Sequence, residues 1–192
     1  RRDRLREAAS PPVSDVLARI SRQLHLDRPA VRAWMLYDWA NSAMYVVIVT
    51  AIFPTFFSAV AAQGLPPVEA TYRFSLATTL GLTIIAVLSP ILGAIADHSA
   101  AKKRLLGAFL VFGATAVAAM FFIRHGQWVF AALLFILANI GVNGSFVFYD
   151  SLLPHIAKPG ELDKLSTAGY ALGYLGGGIL LIVALALIQA PG

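Results

Sequence analysis

The sequence predicts an all-α membrane protein whose chain crosses the bilayer several times as helices. Of its 192 residues, 58% are apolar and 13% are charged, whereas soluble domains have about 45–50% apolar and about 25% charged residues. Largely uncharged stretches recur along the chain, each long enough to cross a hydrocarbon core of about 30 Å as a helix. The alternating ten-residue strands of a transmembrane barrel are not found in the sequence. The five predicted spans cover residues 34–62, 74–96, 105–123, 127–149 and 166–190.

The positions of lysine and arginine predict the orientation of these spans. Of the 15 basic residues, all but Arg73 and Arg124 fall on one side of the membrane if the spans alternate. Because basic residues accumulate in cytoplasmic segments, we expect a multi-pass protein of a cell (inner) membrane with its amino terminus in the cytoplasm. The lipid bilayer is then the expected partner. The net charge of +5 follows from this topology, so no nucleic-acid partner is expected.

Residues 1–30 precede the first span and form a separate cytoplasmic segment, ahead of a transmembrane bundle over residues 31–192. Apolar residues recur in this segment at helical spacing, which predicts an amphipathic helix at the inner membrane surface. A short soluble helix is the alternative. The apolar positions are Val13, Val16, Leu17, Ile20 and Leu24.

The first span begins with the polar segment "YDWANSA". Its polar side chains fall at i, i+3, i+4 and i+7 of one helix face, at Asp38, Asn41, Ser42 and Tyr45. A helix that lines an aqueous cavity requires this alignment, so we interpret these residues as candidates for a substrate cavity. The alternative is that nearby aromatic residues mark the membrane–water interface, with Asp38 solvated at headgroup level or paired with Arg32.

The fourth span repeats the pattern with Asn139, Asn143 and Asp150. Asparagines within a span can contact a substrate or simply hydrogen-bond to neighbouring helices, and the sequence leaves both alternatives open for each residue. Polar faces on two spans together favour a shared polar pathway.

Glycines and prolines within the spans predict how the helices pack and where they bend. Gly169, Gly173 and Gly177 recur every four residues in the fifth span, which indicates close helix–helix packing. Prolines inside the first two spans predict kinks at Pro54 and Pro90.

The sequence does not favour an enzyme. It contains no cysteine, which excludes thiolate chemistry and thiol-bound metals. The histidines lie in loops and flanks, and none pairs with another at metal-ligand spacing. We therefore expect no catalytic residue, no cofactor and no metal site.

The segment "GAIADHSAAKKR" resembles the loop between spans two and three of the major facilitator superfamily, in which a glycine, an aspartate and a basic cluster recur. The matching positions, which the resemblance assigns to a cytoplasmic gating loop, are Gly93, Asp97, Lys102, Lys103 and Arg104. His98, Ala100 and Ala101 depart from the usual residues.

Three further segments, "AWMLYDWANSA", "FYDSLLPHIA" and "GYALGYLGGGILL", are similar to the vacuole effluxer-like branch of that superfamily, also called the unknown major facilitator group. The resemblance implies five of the six helices of an amino-terminal half, with spans one and four lining the central cavity. It also implies a secondary transporter that moves a small polar solute, amino acids being one such class, by alternating access. Its partners would be a carboxy-terminal half and a coupling ion. The alternative function is a membrane scaffold or assembly factor that keeps the fold without transport.

Overall fold

The computed structural model describes residues 12, 14–15, 26–98 and 101–190. Within this part of the chain, all regular secondary structure is helical, which confirms the all-α prediction. The amphipathic helix predicted over residues 13–24 lies outside the described residues except at positions 14 and 15, which are helical.

In the described part of the chain, five helices are long and apolar enough to cross a membrane. They are α1 (Pro29–Ala61), α2 (Pro67–His98), α3 (Lys102–Phe122), α4 (Trp128–Ile156) and α5 (Leu162–Gln189). Most of them extend beyond the uncharged stretches, because backbone hydrogen bonding continues where charged side chains reach water. The first turns of α2 show this: Arg73 pairs with Glu69 one turn earlier at 2.7 Å, and its guanidinium lies 3.8 Å from the ring centre of Trp128.

Helix α1 is irregular along its second half. It is α-helical over Pro29–Met44, then π-helical over Tyr45–Ile52 and again over Phe57–Ala61, on either side of the α-helical turn Phe53–Phe56. Pro54 lies in that turn and has no N–H to donate, so the regular hydrogen-bond ladder cannot continue through it. Wider π-helical turns are a common cause of helix distortion. Pro90, by contrast, lies inside the continuous helix α2.

Helix α4 is the centre of the bundle and its most buried span. It packs against α2 on one side and α3 on another, whereas α1 packs chiefly against α5 and also contacts α4. A cluster of phenylalanine rings joins α1, α2 and α4, and within it Phe53 stacks on Phe135 with ring centres 4.9 Å apart. This arrangement brings α1, α4 and α5 together near the middle of the bundle.

Two glycine contacts allow the helices to approach closely. A side chain on Gly141 of α4 would collide with the backbone of Gly113 on α3, and one on Gly144 would meet the ring of Phe109.

The connection between α4 and α5 is short. Residues 157–161 link the two helices, and Gly160 adopts a φ of 80°, which favours glycine. Gly160 therefore allows a tight turn between α4 and α5.

Candidate functional site

Asp38 is fully buried between α1 and α5, with 0% of its surface exposed. One carboxylate oxygen, Oδ1, accepts a hydrogen bond from the Ser42 hydroxyl one turn later at 3.3 Å. The other oxygen, Oδ2, has no hydrogen-bond partner within the described part of the chain. Leaving a buried carboxylate oxygen unsatisfied costs about 1–3 kcal/mol or more, so this side chain is held where stability alone would disfavour it.

The glycine face of α5 provides the space that Asp38 occupies. A Cβ atom on Gly173 would lie 2.6 Å from Asp38 Oδ2 and 2.7 Å from Ser42 Oγ, and one on Gly177 would lie 3.1 Å from the Ser42 carbonyl oxygen. One turn before, Gly169 faces the ring of Trp34. The glycines of α5 and the polar residues of α1 are therefore two sides of one interface.

A cavity of about 220 Å³ lies beside this interface, between α1, α4 and α5. Its polar lining consists of Asp38, Ser42, Tyr45, Asn143, Tyr170 and Tyr174. Val46 and Phe146 complete the wall. Among these described lining residues there is no lysine, arginine or histidine, and Asp38 is the one acidic side chain.

The structure brings together four of the predicted cavity residues, namely Asp38, Ser42, Tyr45 and Asn143. Asn143 donates its amide to the carbonyl oxygen of Asn139 at 2.9 Å, which fixes the side chain on the cavity side of α4. Asp150 is exposed near the end of α4 and does not line the cavity.

Asn41 and Asn139 lie elsewhere. Asn41 is buried on the other side of α1, at a smaller cavity of about 140 Å³ formed with Leu110 of α3 and Val142 of α4. Asn139 donates to the carbonyl oxygen of Phe135 at 2.9 Å and packs next to Gly81 of α2. For Asn139 the structure thus supports a packing role and not a place at the cavity.

The aromatic residues around Asp38 hold helices together. Trp34 is 5% exposed, stacks on Tyr149 of α4 with ring centres 4.4 Å apart, and donates Nε1–H to the Tyr149 carbonyl oxygen at 3.1 Å. Tyr37 stacks on the same ring at 5.1 Å. Asp38 has no exposed surface and Arg32 is exposed, so the structure shows neither a solvated Asp38 nor a pairing of Asp38 with Arg32.

The predicted gating residues lie on the two helix ends that flank residues 99 and 100. Asp97 is exposed near the end of α2, and the basic cluster begins α3. Lys102 Nζ lies 3.5 Å from His155 Nε2 near the end of α4. Lys103 borders an apolar cavity of about 260 Å³ that Trp34 and Tyr149 also line.

A second contact joins the same ends of α1, α4 and α5. Arg28 forms an ion pair of 2.7 Å with Glu161 in the α4–α5 connection, and its guanidinium also donates to the carbonyl oxygen of Ile156 at 3.5 Å. Both side chains are about four-fifths buried, with 22% and 17% of their surfaces exposed.

Sequence reasoning missed Tyr170 and Tyr174 as cavity residues. They are one helical turn apart in α5 and follow the glycines Gly169 and Gly173 by one position each, so the signal was the repeated "GY" pair within the glycine pattern. Phe146 was missed because an apolar residue in an apolar span carries no distinguishing signal.

The described residues contain no group of three or more histidine, aspartate or glutamate side chains placed to hold a metal ion. What the cavity offers instead is one buried carboxylate, hydroxyl and amide groups, and aromatic rings. This set can bind and orient a small solute.

Comparison with protein families supplies an independent result. The family model described as "Vacuole effluxer Atg22 like" matches residues 69–192, which is more than half of the chain and includes four of its five described spans. No solved structure matches the chain.

Curated relatives occur in bacteria and fungi. A protein of Bacillus subtilis named "Uncharacterized MFS-type transporter YxiO" is 36% identical over 157 residues, which are 81% of this chain and 37% of that protein. "Autophagy-related protein 22" of Neurospora crassa is 33% identical over 101 residues, or 52% of this chain and 13% of that protein. "Autophagy-related protein 22" of Coccidioides immitis is 34% identical over 89 residues, which are 46% of this chain and 14% of that protein. The chain therefore spans well under half the length of these relatives.

Proposed function

The chain belongs to the vacuole effluxer Atg22-like family of major facilitator proteins, and on that premise we propose that it forms the amino-terminal part of a secondary transporter for a small polar solute. The observation that carries the proposal is the buried carboxylate of Asp38 beside the cavity between α1, α4 and α5. The name of the Bacillus relative, a transporter, supports the same function.

The energetics of Asp38 support a functional reason for its position. A buried charge without a full set of partners destabilises a membrane protein, and such residues generally face cavities or transport pathways. A scaffold that only needed to pack α1 on α5 would be more stable with an apolar residue at this position. The absence of a side chain at Gly173 is what allows α5 to accommodate the carboxylate.

The proposal includes the missing partners of the cavity. We propose that a carboxy-terminal half of the same protein faces the open side of the cavity, where Tyr174 is 75% exposed, and that the two halves rock about a site near the middle of the membrane. Amino acids are one class of solute that fits this proposal, and a coupling ion would accompany transport.

We also propose a cytoplasmic amino terminus, and a gating role for the segment that contains Asp97 and the basic cluster. In the full-length protein, Asp97→Asn should then increase the rate at which a thiol reagent added from the cytoplasm labels an Asn143→Cys variant. An unchanged labelling rate would leave this segment with a role in topology alone.

A transport assay tests the proposed function. Full-length protein in proteoliposomes is offered a panel of labelled amino acids and other small polar solutes, and the solute that is moved is then tested with Asp38→Asn. We expect transport to fall about tenfold or more. The substitution removes the carboxylate that binds the solute, and an electrostatic interaction within a membrane is worth several kcal/mol. Asp27→Asn, which changes an exposed carboxylate just before α1, is the matched control and should transport normally.

Transport by Asp38→Asn at the wild-type rate would contradict the proposal and leave Asp38 with a packing role. If the wild-type protein moved no solute in the panel and Asp38→Asn were equally stable, the scaffold function would be favoured.

A further inference from the structure

The charge and the aromatic groups at the cavity point to a class of solute. We infer that this site selects solutes that carry an organic ammonium group and binds that group between the Asp38 carboxylate and the tyrosine rings of α1 and α5. The inference rests on the proposed function and adds the chemistry of the solute to it.

The first argument is electrostatic. Asp38 Oδ2 has no partner in the described part of the chain, and the single hydrogen bond to Oδ1 comes from the neutral hydroxyl of Ser42. No basic side chain is present among the described residues that line the cavity. An opposite charge nearby favours the ionised form of a buried carboxyl group, so an ammonium group would complete the partners of Asp38.

A second carboxylate increases the negative potential. Asp150 lies seven residues beyond Asn143 on α4 and is exposed. Tyr170 of α5 lines the cavity. A positively charged solute that approaches from the Asp150 end would therefore be attracted towards Asp38.

The aromatic lining favours an organic cation over a metal ion. Tyr45, Phe146, Tyr170 and Tyr174 all border the cavity. The faces of aromatic rings attract ammonium groups, and aromatic cages are the usual recognition site for quaternary ammonium ligands. Hard inorganic cations instead require several oxygen ligands at once, which one carboxylate and scattered hydroxyl groups do not provide.

The cavity volume indicates which part of the ligand this half of the site holds. Sites for drug-sized molecules have volumes of about 300–1,000 Å³, whereas this cavity is about 220 Å³. The site on this part of the protein thus fits an ammonium head group with a short substituent.

Binding measurements on the purified full-length protein test the inference. The probes are methylammonium, tetramethylammonium and choline, with 3,3-dimethylbutan-1-ol as the uncharged isostere of choline and sodium chloride as the inorganic cation. Binding is followed by isothermal titration calorimetry at constant ionic strength. We expect at least one ammonium probe to bind, choline to bind about tenfold or more tightly than its isostere, and sodium not to displace the bound probe.

Variants separate the charge contribution from the aromatic contribution. Asp38→Asn should weaken ammonium binding about tenfold or more, whereas the exposed control Asp27→Asn should not change it. Tyr174→Leu should weaken binding about three- to tenfold, because it removes a ring face, and Tyr174→Phe should stay within about twofold of wild type. Since Tyr174 is largely exposed, this pair remains informative even if Asp38→Asn fails to fold.

The inference is overturned if none of the three ammonium probes binds, if choline and its isostere bind equally well, or if sodium displaces the probe at equal concentration. It is also overturned if Tyr174→Leu binds as well as Tyr174→Phe. If Asp38→Asn lost transport but the wild-type protein bound no ammonium probe, the inferred solute class would be refuted and the proposed transport function would still be supported. If ammonium binding depended on Asp38 but the protein transported no solute, the ammonium site would be supported and the proposed transport function would be refuted.

Discussion

Gly173 and Asp38 depend on each other across the α1–α5 interface. The carboxylate occupies the volume that any side chain at position 173 would need, so a small residue on one helix and a charged residue on the other form one structural unit. In membranes, small residues usually permit contact between two backbones. In this case the space they leave holds a polar side chain beside a cavity.

At the residue scale, Gly173→Ala tests this unit. The added methyl group would lie 2.6 Å from Asp38 Oδ2, so the carboxylate or the helix must move, and we expect a destabilisation of about 1–3 kcal/mol together with reduced transport. Thermal unfolding in detergent and the proteoliposome assay measure the two effects.

Gly178→Ala is the control in the same helix, because a Cβ at that position meets no atom within 4 Å. It should be neutral, or slightly stabilising, since alanine is favoured over glycine by about 1 kcal/mol in a helix. Equal unfolding temperatures and equal transport for Gly173→Ala and Gly178→Ala would show that α5 does not pack closely against Asp38.

The sequence grouped part of the cavity lining for a definite reason. Helical spacing places Asp38, Ser42 and Tyr45 on one face of α1, and the structure finds them at one cavity. The same spacing also included Asn41, which faces α3 and α4 instead. A face about 100° wide can border two neighbours, and the boundary between them depends on packing that periodicity does not contain.

At the scale of single helices, the number and order of spans followed from hydropathy, but their ends and their irregularities did not. Helix α4 continues past Tyr149 to Ile156 and includes Pro154, because the charged end of a span can remain helical in the headgroup region. The π-helical parts of α1 had only Pro54 as a signal, since the width of a helical turn leaves no pattern in hydropathy. The contact of Gly113 with Gly141 joins two helices through single glycines, which form no repeat within either span.

The contact between Gly113 of α3 and Gly141 of α4 gives a prediction at the scale of helices. A methyl group on Gly141 would lie 2.5 Å from the Gly113 nitrogen and 3.0 Å from the Phe109 carbonyl oxygen. These are backbone atoms, so α3 and α4 would have to separate, and Gly141→Ala should destabilise the protein by about 1–3 kcal/mol or more. Gly107→Ala on α3 adds a methyl group with no neighbour within 4 Å and should not destabilise. Unfolding in detergent compares them, and equal stability would mean that the two helices are not in close contact.

At the scale of the whole molecule, the distribution of basic residues predicts which connections face the cytoplasm. Because this chain has no cysteine, single cysteines can be introduced into it in a full-length background cleared of others. We expect Gln63→Cys, in the α1–α2 connection, to react with an impermeant thiol reagent added from the non-cytoplasmic side, and Lys158→Cys, in the α4–α5 connection, to be protected. Both positions are exposed, so the reverse pattern would invert the orientation.

The whole-molecule account also depends on how α1, α4 and α5 meet. Trp34 joins α1 to α4 through its stack and hydrogen bond with Tyr149, while Arg28 joins the start of α1 to the α4–α5 connection through Glu161. These contacts hold one end of the three helices together, and the cavity lies towards the middle of the bundle. The arrangement fits a fixed site about which a second half would move.

The central claim is that this cavity is part of an aqueous solute pathway, and the water accessibility of Asn143 tests it most directly. Asn143→Cys is compared with Val111→Cys, which lies near the middle of α3 and is 65% exposed on the outside of the bundle, where lipid would surround it. In full-length protein in a bilayer, we predict that a water-soluble thiol reagent labels Asn143→Cys at least about tenfold faster than Val111→Cys, and that the transported solute slows this labelling. Labelling of Asn143→Cys no faster than Val111→Cys, with or without solute, would contradict the account.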